Sequence, residues 1–207
     1  MVFNFRTINL LSSYFASGFS AFCSICIMFI INYRSGVAFY GDLMVYLSLS
    51  TILFSFFSFG TRETVTKIMK NHNDDISVML SGFLLDLLSS LTIIVVIYFF
   101  GEKILAFFYG SNINTSYLNK LLAAYTVFFI CQSSFIGFLK YYEKIIIISF
   151  ASIFQNIVKV SIIAFYIINE SETQTSIISA FVMGSFGGLI FLIFGTLTSL
   201  KFKNNKF

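Results

Sequence analysis

FSFGTRETVTKIMKNHNDD, residues 57–75, decides how this chain is read. A long apolar run stops at Phe59-Gly60. Within a few residues the sequence carries Arg62, Glu63, Lys67, Lys70, His72 and the pair Asp74-Asp75. A catalytic patch, a nucleic-acid patch and the end of a membrane helix would all look charged here, so the choice among them falls to the rest of the chain.

The 207 residues are 57% hydrophobic and 11% charged, with a mean hydropathy of +0.89. Soluble domains carry about 25% charged residues. A soluble fold has nowhere to hide this much apolar surface, so the chain reads as an integral membrane protein of the all-α, polytopic class. Its net charge of +4 is scattered singly. Nucleic-acid binding wants basic residues gathered on one face, so no nucleic-acid partner is expected. Cys23, Cys26 and Cys131 all fall in apolar runs. Cys23-Ser-Ile-Cys26 has C-x-x-C spacing but no further thiol or histidine nearby, and it reads as small buried thiols.

Crossing a hydrocarbon core takes about 20 residues at about 1.5 Å rise each. Six stretches meet that length, near 11–32, 42–60, 79–100, 119–139, 145–168 and 176–199. No polar linker separates them, so residues 1–207 read as a single transmembrane domain. The first stretch is too long for a signal peptide and lacks a small-residue cleavage site before Arg34. Basic residues in short loops set orientation. With the N-terminus inside, the inner loops collect Arg6, Arg62, Lys67, Lys70, Lys140, Lys144, Lys201, Lys203 and Lys206. The outer loops collect only Arg34, Lys103 and Lys120. The expectation is six transmembrane helices forming one lobe, both termini cytoplasmic. The N-x-[ST] sequons at Asn114 and Asn169 fall in short outer loops and carry no functional weight.

Residues 57–75 are then a topological feature. Phe57 and Phe59 fill the inner leaflet, and Gly60 permits close packing or a bend. Arg62, Lys67 and Lys70 lie at roughly helical spacing, which predicts a helix continuing past the hydrocarbon to about residue 70. His72 to Asp75 make the turn into the third span.

An ionisable side chain at the centre of a span costs about 2.5–3.5 kcal/mol on insertion scales, so each one needs a reason. Asp86 lies in the third span and Lys159 near the middle of the fifth, with Gln155 and Asn156 one turn earlier. One reading has these groups, with Gln132, lining a hydrated cavity for a polar, anionic substrate. The other has Asp86 and Lys159 pairing with each other or snorkelling, and the polar amides bonding between helices. The sequence leaves both open. Small residues mark helix contacts in lipid. Gly184 and Gly188 form a G-x-x-x-G in the sixth span, and Ala16, Ser20 and Ser24 form a four-residue stripe in the first. They predict intramolecular packing, with a dimer face as the alternative.

No catalytic inventory is visible. His72 is the lone histidine and belongs to a loop, which leaves no base for an intramembrane nucleophile. G-x-S-x-G, H-E-x-x-H and Walker A patterns are missing from the sequence. The chain is read as a non-enzyme without cofactor or metal.

The chain also resembles the polysaccharide flippases of the bacterial O-antigen and capsule type, within the superfamily of multidrug, lipid II and polysaccharide exporters. Four places carry the resemblance. The Tyr40-Gly41 turn is similar to the family's approach to its second span, and FSFGTRETVTK at 57–67 to its exit from that span. GFLKYYEKI at 137–145 resembles the basic link between spans four and five, and FQNIVKVSII at 154–163 resembles the polar fifth span. The resemblance implies an N-terminal half of a twelve-helix exporter of the cytoplasmic (inner) membrane. Such a half would flip lipid-linked oligosaccharide for lipopolysaccharide or capsule by alternating access, as one lobe rocks against another. It nominates Lys159 for contact with the lipid diphosphate. With only six spans present, a second six-helix half or another copy is implied as partner, since a lone lobe would leave its charged face to lipid. The alternatives are a complete six-helix small-solute uptake subunit and an inactive, truncated remnant of a flippase.

Overall fold

A computed structural model describes residues 5–71, 75–109, 115–169 and 173–204, and every described element is helical. The helices are α1 (Phe5–Phe57), α2 (Thr61–Met69), α3 (Asp75–Tyr109), α4 (Thr115–Tyr141), α5 (Ile145–Ile168) and α6 (Gln174–Asn204). Among the described residues, five helical stretches are long and apolar enough to cross a membrane. The chain is an all-helical, multi-pass membrane protein.

The five stretches cover the six expected spans because the first two fuse into α1. A straight helix of 53 residues would run for about 80 Å, far beyond a hydrocarbon core of about 30 Å. The run is broken inside at Gly36, whose φ of 86° and ψ of 166° are not helical. This region of backbone space is essentially closed to side chains other than glycine's hydrogen. Neighbours show what the break does. Before it, Asn9 donates to the Glu143 carbonyl at 2.8 Å, Ser149 bonds Ser12, and Ser20 shares a cavity wall with Asn156, so this limb runs alongside α5 in the same direction. After it, Phe54 packs edge-on against Phe129 at 4.8 Å, and Thr66 beyond it reaches Gly137, so the chain now runs with α4. The α4 direction opposes that of α5, because α6 runs with α4 (Tyr125–Phe181, Phe128–Phe186) and against α5 (Lys159 at Gly184, Ile147 at Gly195). The two limbs of α1 therefore point opposite ways.

The stretch at 57–75 departs from expectation. Instead of continuing to residue 70, the helix stops at Phe57, passes through Phe59 (φ 45°) and Gly60 (φ 63°) in the left-handed region, and restarts as α2. Thr61, Val65 and Met69, spaced four apart, face inward and are buried, so α2 is a short amphipathic helix packed on α3 and α4. Its seat is close. A side chain at Gly137 would begin 2.5 Å from the Arg62 carbonyl oxygen, and one at Gly82 would collide with Val65. His72, Asn73 and Asp74 lie outside the described residues.

The basic link GFLKYYEKI forms a tight turn from α4 to α5. Glu143 takes a left-handed φ of 55°, its N–H donates to Lys140, and the Lys144 N–H donates to Leu139. That is the pairing of a Schellman motif, with Glu143 in the place glycine usually holds. Two apolar clusters fill the bundle. One gathers Ile31, Leu43, Tyr46, Ile93, Leu122 and Ile163, and the other gathers Met69, Phe138, Leu139 and Leu192.

Candidate functional site

Four of the five polar residues singled out from the sequence converge. A cavity of about 390 Å³ is lined by Gln132 of α4, Gln155, Asn156 and Lys159 of α5, Ser20 of α1, Tyr125 and Phe129 of α4, and Arg62 of α2. Helical spacing explains the α5 contribution. Gln155, Asn156 and Lys159 fall within one turn, so they share a face. Glycine then sets the depth. A Cβ at Gly184 would sit 2.5 Å from Lys159 Cγ and 2.9 Å from the Gln155 carbonyl, so α6 lies against the Lys159 stem. Gly188 faces the ends of Gln155 and Gln132 at 3.0 and 3.4 Å. The G-x-x-x-G pair thus serves packing of α5 on α6 within the chain.

The amides have two jobs at once. Gln132 Nε2 donates to the Ser185 carbonyl at 2.8 Å and Gln155 Nε2 to Ser185 Oγ at 3.2 Å, tying α4 and α5 to one point on α6. Asn156 Nδ2 donates to Ser152 within its own helix at 2.9 Å. Interhelix bonding and cavity lining, kept as alternatives on sequence grounds, coexist here.

The two cations are what give the cavity its character. Lys159 Nζ stands 5.4 Å from the Phe181 ring centroid, within reach of a cation–π attraction. No carboxylate among the described residues forms an ion pair with Lys159 or Arg62. Arg62 was assigned by sequence to the topology-setting inner loop. The structure also makes it a cavity residue, because the break at Phe59-Gly60 turns the start of α2 inward. No residue-type pattern announces that turn; the one available signal was the glycine just before the arginine.

A second cavity, of about 490 Å³, is lined by Ser13, Ala16, Ser17, Lys140, Ser149 and Ser152 and shares Ile148 and Ser152 with the first. The two cavities therefore adjoin between α1 and α5, from Lys140 to Asn156 and Lys159, with serine hydroxyls set among apolar side chains. Ala16 and Ser20 of the small-residue stripe of α1 line them. A further cleft of about 320 Å³ between α2 and α3 carries no charged side chain.

Asp86 stands apart. It is wholly buried, and its Oδ1 accepts from Thr61 Oγ1 at 2.6 Å while its Oδ2 accepts from the Ser134 N–H at 2.9 Å. The structure brings it to neither cavity nor Lys159, so no Asp86–Lys159 pair forms. Lys159 and Arg62 line a space walled by residues of α1, α2, α4, α5 and α6. Among the described residues, no cluster of three or more His, Cys, Asp or Glu is placed to hold a metal ion.

Comparison of the chain with protein-family models, with curated proteins and with solved structures returns no match.

Proposed function

We propose that the chain is one six-helix lobe of a transporter that moves a lipid-linked, diphosphate-bearing oligosaccharide across the cytoplasmic membrane, with both termini inside. The observation that carries this reading is the pair Arg62 and Lys159. They come from different helices, line one cavity and meet no carboxylate partner among the described residues, inside an apolar bundle. A cation in a span is costly unless it meets water, a partner or a ligand. Two in one pocket, ringed by Gln132, Gln155, Asn156 and Ser20, are suited to an anion with several oxygens, since charge-assisted hydrogen bonds are the strong ones. The adjoining serine-bearing cavities between α1 and α5 supply a route from the Lys140 end. Six crossings follow if each limb of α1 spans separately, which the reversal at Gly36 supports. The excess of Lys and Arg at the ends marked by Lys67, Lys70, Lys140 and Lys144 supports placing those ends in the cytoplasm.

The test is restoration of surface polysaccharide in a flippase-deleted bacterial strain, by this chain alone and with a matching second half. Rescue that is lost in Lys159→Ala and Arg62→Gln is the expected outcome. No rescue in either setting, with the chain well inserted, sinks the transporter-lobe reading.

A second reading, a small-anion uptake subunit, is favoured by one specific feature: the residues lining the cavity all come from a single lobe, and about 390 Å³ suits a small solute. Binding of inorganic pyrophosphate with no competition from farnesyl diphosphate in liposomes would select it.

A further inference from the structure

Asp86 is the charged group that the cavity leaves unused, and its two bonds point at the cavity walls. Thr61, which donates to Oδ1, is the first residue of α2 and the neighbour of Arg62. Ser134, which donates to Oδ2, lies two residues from Gln132 in α4. One carboxylate on α3 thus ties together the two elements that carry Arg62 and Gln132.

The local contribution to the start of α2 is the Ser58 carbonyl, which accepts from the Thr61 N–H at 3.1 Å and from the Thr61 hydroxyl at 3.2 Å, longer than the 2.6 Å bond to Asp86. The N-cap of α2 is Gly60, which offers no side-chain cap, and the helix follows two successive left-handed residues. Chain direction after such a break is weakly determined by sequence neighbours. A carboxylate beside the first turn of a helix also sits favourably against the partial positive charge of the free N–H groups. Further along, Thr66 Oγ1 donates to the Gly137 carbonyl at 3.0 Å, and Val65 packs against Gly82. Those contacts hold the body of α2 without help from Asp86. What Asp86 adds is the setting of the first turn, where Arg62 lies.

We propose that Asp86 is a positioning residue: through Thr61 and Ser134 it fixes the start of α2 against α4 and so holds Arg62 in the wall of the Lys159 cavity. The inference rests on that cavity being the working site, but its test reads geometry and not transport.

A spin label is placed at residue 62 through Arg62→Cys in a chain whose Cys23, Cys26 and Cys131 are replaced by serine, reconstituted in liposomes. A second label at Ser152→Cys, in the opposite cavity wall on α5, is the reference. The label at 62 is expected to be immobilised in the parent and in Thr61→Ser, which keeps the hydroxyl. In Thr61→Val, which keeps the shape but removes the donor, and in Asp86→Ala, its rotational correlation time is expected to fall severalfold. The label at 152 stays unchanged throughout. Equal restraint at 62 in all four chains overturns the proposal. So does loosening at 62 and 152 together, which is the mark of a bond holding the whole bundle. Should Asp86→Ala fail to fold, the Thr61→Val and Thr61→Ser pair decides alone. A chain that passes this test yet moves no substrate keeps the positioning role and loses the transport reading.

Discussion

The bundle holds ionisable groups in two settings, and they differ in every respect that matters. Around Asp86 the interior is dry: the side chain has no exposure, and each carboxylate oxygen meets a donor within 2.9 Å. Around Lys159 and Arg62 there is open volume, two like charges and no carboxylate partner among the described residues. Buried polar groups that are fully bonded organise a structure, and removing one strands its partners. Unpaired cations facing a void have unused bonding capacity, which is what a ligand would take up. The same residue class, found by the same argument from insertion cost, therefore divides into a fastener and, on the proposed function, a receptor.

The largest expected effect lies on the fastener. Asp86→Ala strands the Ser134 amide and leaves the Thr61 hydroxyl only the Ser58 carbonyl at 3.2 Å; at about 1–3 kcal/mol for each buried donor left unpaired, the loss is at most about 6 kcal/mol. Unfolding in mixed micelles, followed by helical circular dichroism, should show the midpoint move accordingly. An unchanged midpoint would mean that water reaches Asp86, and the contrast between a dry and a wet region would collapse.

Next comes the floor of the cavity. Gly184→Ala puts a methyl 2.5 Å from Lys159 Cγ and 2.9 Å from the Gln155 carbonyl. The lysine stem can swing, but the backbone oxygen cannot, so α5 and α6 must part, at about 1–3 kcal/mol for an overpacked contact. The same unfolding assay measures it. Pyrophosphate affinity should fall with it, because the Lys159 stem is displaced.

Lys159→Leu separates the two regions most sharply. Stability should hold or rise slightly, since replacing a half-buried charge that has no carboxylate partner among the described residues by an apolar side chain removes a desolvation cost. Anion affinity should fall about tenfold, the equivalent of about 1.4 kcal/mol and near the low end for a hydrogen bond to a charged group. Titration of inorganic pyrophosphate into liposomes carrying each chain reads this. A large loss of stability in Lys159→Leu would show that the lysine, like Asp86, is a fastener.

What the sequence disclosed follows from the range of the forces involved. Hydropathy marked the cores of α3 to α6 to within a few residues, because each span must satisfy its own backbone in lipid. Gly36 was placed in a loop between two spans. The structure needs no loop, since one glycine in a conformation closed to other residues reverses the helix, and such a reversal leaves no polar stretch to detect. The stripe Thr61, Val65, Met69 was present in the sequence but hidden beneath the charges of Arg62, Lys67 and Lys70, so α2 was read as a continuation. Lys159, Asn156, Gln155 and Gln132 were found by insertion cost, a property of single residues. The partners of Asp86, 25 and 48 residues away, were not, because nothing in a span's composition says which neighbour its carboxylate will meet. The place of Arg62 in the cavity wall was missed for the complementary reason: a loop cation is the commonest topological signal, and the left-handed turn at Phe59-Gly60 brings it to the cavity.

The smallest expected effect tests how much give the receptor has. At Gly188 an added methyl meets only side-chain ends, Gln155 Oε1 at 3.0 Å and Gln132 Nε2 at 3.4 Å. Both amides can rotate a few tenths of an ångström aside, so Gly188→Ala should change stability by less than about 1 kcal/mol, below the usual range for overpacking. The shift would nonetheless lengthen the bonds that both glutamines make to Ser185, loosening the link between α4 and α5. If the cavity is preorganised by those bonds, pyrophosphate affinity drops while the unfolding midpoint barely moves. If affinity and midpoint shift in proportion, the glutamines act as ordinary interhelix fasteners, and the receptor narrows to Lys159, Asn156 and Arg62.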